Sequence, residues 1–202
     1  MTSAAVVLPA VPFELRPLGA DATVEHGDDW LRLRAGPATD WFVDPSGERD
    51  PVGNAPALLG SAAGDYVLSA TVTVEFASTF DAGALMLYVD DRRWAKLCFE
   101  RSPEGHPTVV SVVTQEVSDD CNSWVVREPG VRLRIARIGR AFAFHAGSGA
   151  AHWELVRHFS LGGHADPRIG FVAQSPTGDG CTATFADVRF AASRLADLRD
   201  GT

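Results

Sequence analysis

Between residues 66 and 115, apolar side chains recur at alternate positions through four successive runs. That period of two commits the segment to antiparallel β-sheet. One face is expected to carry Leu68, Val72, Val74 and Phe76, then Leu85 and Leu87, Leu97 and Phe99, Val110 and Val112. The opposite face of the last three runs carries Met86 and Tyr88, then Trp94, Lys96, Cys98 and Glu100, then Ser111 and Val113. A sheet covered on both sides reads as unbroken aliphatic sequence, whereas a solvated face reads as short polar and charged residues. Val67, Ser69, Thr71, Thr73 and Glu75 approximate the solvated pattern. The mixed aromatic, basic, acidic and thiol face matches neither. Flat rings for stacking with charges for orientation are what a small-molecule surface needs.

Strand patterns dominate the rest of the chain. Residues 30–34 alternate as Trp-Leu-Arg-Leu-Arg and residues 35–64 read as a loop-rich passage. Residues 131–138, 141–145, 153–159, 168–174 and 181–190 bring the expectation to about ten strands, with Gly139-Arg140 as a two-residue hairpin turn. Only residues 191–199 have a helix-like pattern, in a short charged tail that extends to residue 202. No linker or repeat divides the 202 residues, so one all-β sandwich domain is expected over 1–202. Apolar residues at 46% suffice for its core.

A net charge of -8 argues against nucleic acid as a partner. No apolar run approaches the roughly 18 residues of a membrane span. Residues 1–12 lack the basic region and full apolar stretch of a secretory signal. Cys98, Cys121 and Cys181 are an odd set without a CxxC pair, which fits a reducing cytoplasm, with a Cys121–Cys181 bridge as the open alternative.

Register sharpens the mixed face, because a one-residue slip exchanges a strand's two sides. Keeping Leu85 and Leu87 with Ala95 and Leu97 sets Leu87 opposite Ala95 and Leu85 opposite Leu97, with a three-residue loop or bulge at residues 90–92. Tyr88 then pairs with Trp94 and Met86 with Lys96. The next hairpin is expected to set Cys98 opposite Ser111 and Lys96 opposite Val113. The Gly139-Arg140 turn sets Arg134 opposite His145. If these strands lie in one sheet, Tyr88, Trp94, Lys96, Glu100, Ser111, Arg134 and His145 share one surface. The plainer alternative is a solvated face with internal ion pairs such as Lys96–Glu100.

Two polar segments add candidates. Ser118-Asp119-Asp120-Cys121-Asn122-Ser123 reads as a loop that brings Asp119, Asp120 and Asn122 near the face. Gln174-Ser175-Pro176-Thr177-Gly178-Asp179-Gly180-Cys181 reads as a second, closing a strand with Gln174. Both have ordinary turn composition, and neither has calcium-loop spacing. Gly178-x-Gly180-x-x-Ala183 is followed by strand residues rather than a helix, which rules out dinucleotide binding. His152, His158 and His164 are spaced by six, unsuited to a shared face, so no metal or cofactor is expected. No G-x-S-x-G elbow is present. Cys98 beside Lys96 invites a nucleophile reading, against the commoner inert strand cysteine.

Several blocks together resemble a known family: Asp40-Trp-Phe-Val-Asp-Pro45, Asp81-Ala-Gly-Ala-Leu-Met-Leu-Tyr-Val-Asp90, Trp94-Ala-Lys-Leu-Cys-Phe-Glu100, Ser111-Val-Val-Thr114, Ser118-Asp-Asp-Cys-Asn-Ser123 and Phe171-Val-Ala-Gln-Ser-Pro-Thr177. That family is a concanavalin A-like domain of unknown function that includes a yeast protein described as a regulator of enolase. The resemblance covers about residues 40–190. It implies a lectin/glucanase-type jelly-roll sandwich of two antiparallel sheets whose concave face is the usual ligand surface, and it assigns no catalytic residue. Three functions follow as expectations: a module binding a carbohydrate or similar polyhydroxylated small molecule on its concave face, a glycoside-type hydrolase or sugar isomerase using Glu100 with a loop Asp, or a regulatory protein-interaction domain.

Overall fold

The structure, a computed structural model, describes residues 5–147, 152–162 and 166–202. Among them the strands are β1 Arg16–Leu18, β2 Thr23–His26, β3 Leu31–Ala35, β4 Trp41–Phe42, β5 Val52–Gly53, β6 Ala57–Ser61, β7 Tyr66–Val74 and β8 Ala82–Asp90. The series continues with β9 Arg93–Arg101, β10 Pro107–Gln115, β11 Val117–Val125, β12 Gly130–Ile138, β13 Ala141–Gly147, β14 Glu154–Phe159, β15 Arg168–Gln174 and β16 Cys181–Ala191. No helix forms among the described residues, and the tail expected as helix-like is turn and irregular chain.

Two seven-stranded antiparallel sheets pack face to face. One, hereafter the first sheet, runs β1-β6-β15-β8-β9-β10-β11; the second runs β14-β13-β12-β7-β16-β3-β2, and β4-β5 form a small separate ribbon. Leu85, Leu87, Leu97 and Phe99 of the first sheet meet Leu68, Val72, Leu133, Ile135 and Phe185 of the second in the main core. The sheets approach so closely at Gly83 that an added Cβ would lie 2.8 Å from the Ala183 Cβ. The strands beyond the expected ten are mostly the short ones of the N-terminal third, where runs of two to five residues carry no measurable period.

The four runs between residues 66 and 115 are the strands β7 to β10, but they do not share a sheet. β7 pairs with β12 and β16, and the chain crosses to the first sheet before β8. Buried Asp81 organises that crossing by accepting from the backbone N–H groups of Ala77 and Ser78 and from the Ser175 hydroxyl.

The β8–β9 hairpin has the expected register: Leu87 faces Ala95, Leu85 faces Leu97, Tyr88 faces Trp94 and Met86 faces Lys96, with a bulge between Tyr88 and Asp90. The β9–β10 hairpin does not. Cys98 faces Val110, Lys96 faces Val112, and Ser111 faces Leu97. The run Val109-Val110-Ser111-Val112-Val113 is nearly as apolar at odd as at even positions, so its pattern specifies no register. Both faces of β10 are buried, and either assignment buries valines. The five-residue connection 102–106 then decides, closed by Ser102 N–H on the His106 carbonyl and by Gly105 at φ 85°.

The segment expected as a loop at residues 118–123 is the middle of β11, the edge strand beside β10. Its polarity is that of an edge strand with one outward face. Glu116, at φ 71°, makes the tight turn that returns the chain from Gln115 to Val117.

Candidate functional site

The outer face of the first sheet carries a second core of its own. Met86, Tyr88, Trp94 and Cys98 pack there with Ala57, Leu59, Ala82 and Ala84 beneath Trp41, which arrives from the β4–β5 segment. Trp41 donates its indole N–H to the Ala55 carbonyl at 2.8 Å and meets Tyr88 and Trp94 edge-on, with ring centroids 5.5 and 6.0 Å away. Trp94 is fully buried and Tyr88 is 7% exposed. Both were expected to offer stacking surfaces. Instead they are core residues, because residues 36–56 fold over them.

Beside this lid the face opens into a cavity of about 420 Å³. Lys96, Glu100 and Gln174 form its polar floor, Asp40 and Asp120 lie at its sides, and Phe42, Phe80, Val110, Val112 and Pro176 supply apolar wall. Lys96 is buried at 2% exposure and donates to Asp40 Oδ1 at 3.0 Å and to Gln174 Oε1 at 2.7 Å. Gln174 in turn donates its Nε2 to the Phe80 carbonyl at 3.3 Å. An ammonium has three N–H donors, and two are committed.

The lid is tied down around the cavity. Asn54 Oδ1 accepts from the Asp40 N–H, and the Asn54 amide donates to the Ala38 carbonyl. Val43 exchanges hydrogen bonds with Ser118, its N–H to the hydroxyl and its carbonyl from the backbone N–H. Ala38 at φ 53° and Phe80 at φ 68° both border the cavity, left-handed conformations that L-residues adopt at a cost. A bulky residue such as Phe80 holds that geometry because its own N–H is bound by the Arg101 carbonyl and its carbonyl by Gln174.

Electrostatics follow from burial. Burial weakens the Lys96 ammonium, but the carboxyls of Asp40 and Glu100 outweigh it and hold the pKa above its ordinary value. Glu100 is raised to about 7, mainly by burial and against the attraction of Lys96, with Asp40 and Asp120 adding to the rise. Among the described residues no hydrogen bond reaches its carboxyl, although Glu100 is only 9% exposed. Burial pushes the Cys98 thiol up despite Lys96, so it is a protonated core residue and not an activated nucleophile.

Of the residues expected on one surface, the structure brings together Lys96, Glu100, Asp120 and Gln174. Asn122 points from the same face of β11, opposite Val110 and exposed. Ser111 turns to the inter-sheet side, and Asp119 turns away to pair with Arg157 at 2.8 Å. Arg134 does face His145, but on the second sheet, where the tail covers them. The Gly201 carbonyl accepts from Arg134, and the Leu198 carbonyl bonds His145 Nε2. Lys96 pairs with Asp40 rather than with Glu100. All three cysteines are free, Cys121 exposed and the others buried, so the bridge considered for Cys121 and Cys181 is not formed. His164 lies outside the described residues. Sequence reasoning overlooked Asp40, Phe42 and Phe80 as lining residues. The signal for the first was Asp40-Trp41-Phe42, two large aromatics in a polar passage that need a surface to cover.

A family model described as a protein of unknown function, DUF1349, matches residues 19–193. The chain belongs to this family. Its structure is similar to that of a functionally unknown protein from Saccharomyces cerevisiae, with a TM-score of 0.80 at 22% identity over 89% of this chain and 96% of that one. A legume lectin-like domain from Entamoeba histolytica superposes with a TM-score of 0.57 at 7% identity, covering 89% of this chain and 90% of that chain. The GH43 protein BlXynB of Bacillus licheniformis gives 0.63 at 13% identity over 84% of this chain, which spans 38% of that one. These likenesses establish a concanavalin A-like jelly-roll sandwich for the family member described here. No curated protein matches the chain.

Proposed function

We propose that this DUF1349 protein is a binding module for a small polyhydroxylated ligand, a carbohydrate or a similar compound, taken into the cavity over β9 and β10. The observation that carries this reading is the pair of buried Lys96 and Gln174, with half-buried Asp40 on the ammonium, beside the unbonded Glu100 carboxyl at the floor of a space walled by apolar side chains. A few fixed polar groups in an apolar cavity orient a ligand without reorganisation. Gln174, held between Lys96 and the Phe80 carbonyl, presents a preset amide. The third Lys96 N–H and the Glu100 carboxyl supply a donor and an acceptor for hydroxyls. The legume lectin-like and GH43 neighbours support carbohydrate as the class. The free cysteines support a reducing cytoplasm, where a small sugar or glycoconjugate fits better than an extracellular polysaccharide.

A second reading is favoured by the pKa of Glu100 near 7 at the floor of the cavity: the carboxyl serves as a general acid on a glycosidic or carbonyl oxygen, with Asp120 or Asp40 as the second carboxyl.

The test is a thermal-shift panel of mono- and disaccharides, polyols and amino sugars on the intact chain. It should be run beside Val112→Phe, which fills the cavity with apolar volume. Stabilisation by a panel member, lost in Val112→Phe, supports binding. Stabilisation unchanged in that variant places the ligand elsewhere and contradicts it. Turnover of nitrophenyl glycosides that disappears in Glu100→Gln would favour the second reading.

A further inference from the structure

The charge of the cavity says more about its ligand than the shape does. Four carboxyl groups line it, Asp40, Asp50, Glu100 and Asp120, against two cations, Lys96 and Arg49. Two of the three Lys96 N–H donors are already taken, by Asp40 at 3.0 Å and Gln174 at 2.7 Å. No ion pair or hydrogen bond among the described residues engages the carboxyls of Glu100, Asp120 or Asp50. Two of these sit at the open side, on the edge strand β11 and the β4–β5 segment. Glu100 is at the floor, more than nine-tenths buried and facing the space.

A buried carboxylate without a partner is costly, and the structure leaves two ways to relieve it. At low pH the group takes a proton. Above that range a bound cation does the same work and makes the charge-assisted hydrogen bonds that no protein donor among the described residues makes to Glu100. An anionic ligand would bring a further negative charge among these four carboxyls, with one Lys96 N–H and the exposed Arg49 to meet it. Among the described residues no three His, Cys, Asp or Glu side chains converge as a metal cage, so the cation suited to the site is organic.

Resting on the binding reading above, we infer that the cavity selects an amine-bearing polyhydroxylated ligand, its ammonium seated between Glu100 and Asp120 and its hydroxyls on Gln174 and Lys96. Neutral polyols of the same shape bind more weakly, and carboxylated or phosphorylated ones are rejected.

Selectivity also depends on pH. The groups facing Glu100 are Lys96 and Cys98 on its own strand, Asp120 on β11 and Asp40 from the lid. Glu100 titrates near 7, so the amine preference is weak when it is protonated and full once it is ionised.

The experiment is calorimetric titration of the intact chain with three isosteres: glucitol, 1-amino-1-deoxyglucitol and gluconate. The amine stays protonated at about pH 8, since alkyl ammonium groups titrate near 10. The expected result is binding of the aminopolyol about tenfold or more tighter than glucitol at about pH 8, with gluconate weakest. That advantage should shrink at about pH 5.5. In Glu100→Gln the preference and its pH dependence should both fall. Asp120→Asn, on the exposed edge strand, should lower the preference independently should Glu100→Gln prove unstable. Equal binding of glucitol and the aminopolyol, or tighter gluconate, overturns the amine inference and leaves the binding site standing. No binding of any of the three by the folded chain overturns both.

Discussion

Lys96 Nζ lies 3.0 Å from Asp40 Oδ1, joining the floor of the first sheet to a lid segment 56 residues earlier in the chain. That contact fixes the lid over the outer face and divides the face into a filled half under Trp41 and an open half over Glu100. Because Lys96 is almost fully buried, removing Asp40 leaves an ammonium hydrogen-bonded to Gln174 alone, with Glu100 as its remaining acidic neighbour. Asp40→Ala should lower stability by about 2–3 kcal/mol, less than a fully buried pair because Asp40 keeps some exposure, measured by urea unfolding near neutral pH.

The two halves were unequally legible in the sequence. The β8–β9 pairing followed from Leu85, Leu87, Ala95 and Leu97, because one-sided burial fixes register strongly. The β9–β10 pairing failed at Val109–Val113, where burial on both faces erases the pattern and the turn decides. Tyr88 and Trp94 looked like a stacking platform because alternation reports which side a residue takes, not what covers that side. Arg134 and His145 were paired correctly and placed on the wrong surface, since pairing within a hairpin carries no information about which sheet the hairpin joins.

Glu100 gives the chain a pH signature. Its folded pKa of about 7 lies above the ordinary value of 4.5, so the folded state holds the proton more tightly than the unfolded chain between those limits. Stability from this group is therefore full below about pH 4.5 and declines as pH rises to about 7, by roughly 3 kcal/mol in all. Other carboxyls titrate too, so the quantity to measure is the difference between the wild type and Glu100→Gln in urea unfolding from pH 4 to 8. That difference should fall across the window and be level above it.

Trp41 is the keystone of the lid. Trp41→Ala removes the edge-on contacts to Tyr88 and Trp94 and the indole bond to the Ala55 carbonyl, and should cost about 3–5 kcal/mol. Tyr88 and Trp94 should become accessible to a fluorescence quencher in the folded variant.

Thiol reactivity tests the burial pattern. Cys121 is exposed, Cys98 and Cys181 are buried, and burial raises both buried thiols, Cys181 to about 12. A chromogenic disulfide reagent at neutral pH should titrate one thiol in the native chain and three after denaturation.

The tail over the second sheet depends on Gly201, whose φ is 79° and whose added Cβ would lie 2.3 Å from Arg134 Nη2. Gly201→Ala should lift residues 192–202 from Arg134 and His145, at about 1–2 kcal/mol for the left-handed backbone alone. Limited proteolysis should then clip the tail at enzyme levels that spare the wild type.

Residue-resolved NMR reports whether the Lys96–Glu100 cavity holds the ligand. A titration with the best member of the sugar, polyol and amino-sugar panel should move the amide signals of Lys96, Glu100, Val110, Val112 and Gln174 together. The Arg134 and His145 signals should stay fixed, and Val112→Phe should abolish the response. Shifts centred on the second sheet, or a saturating response that persists with the cavity filled, would contradict the account.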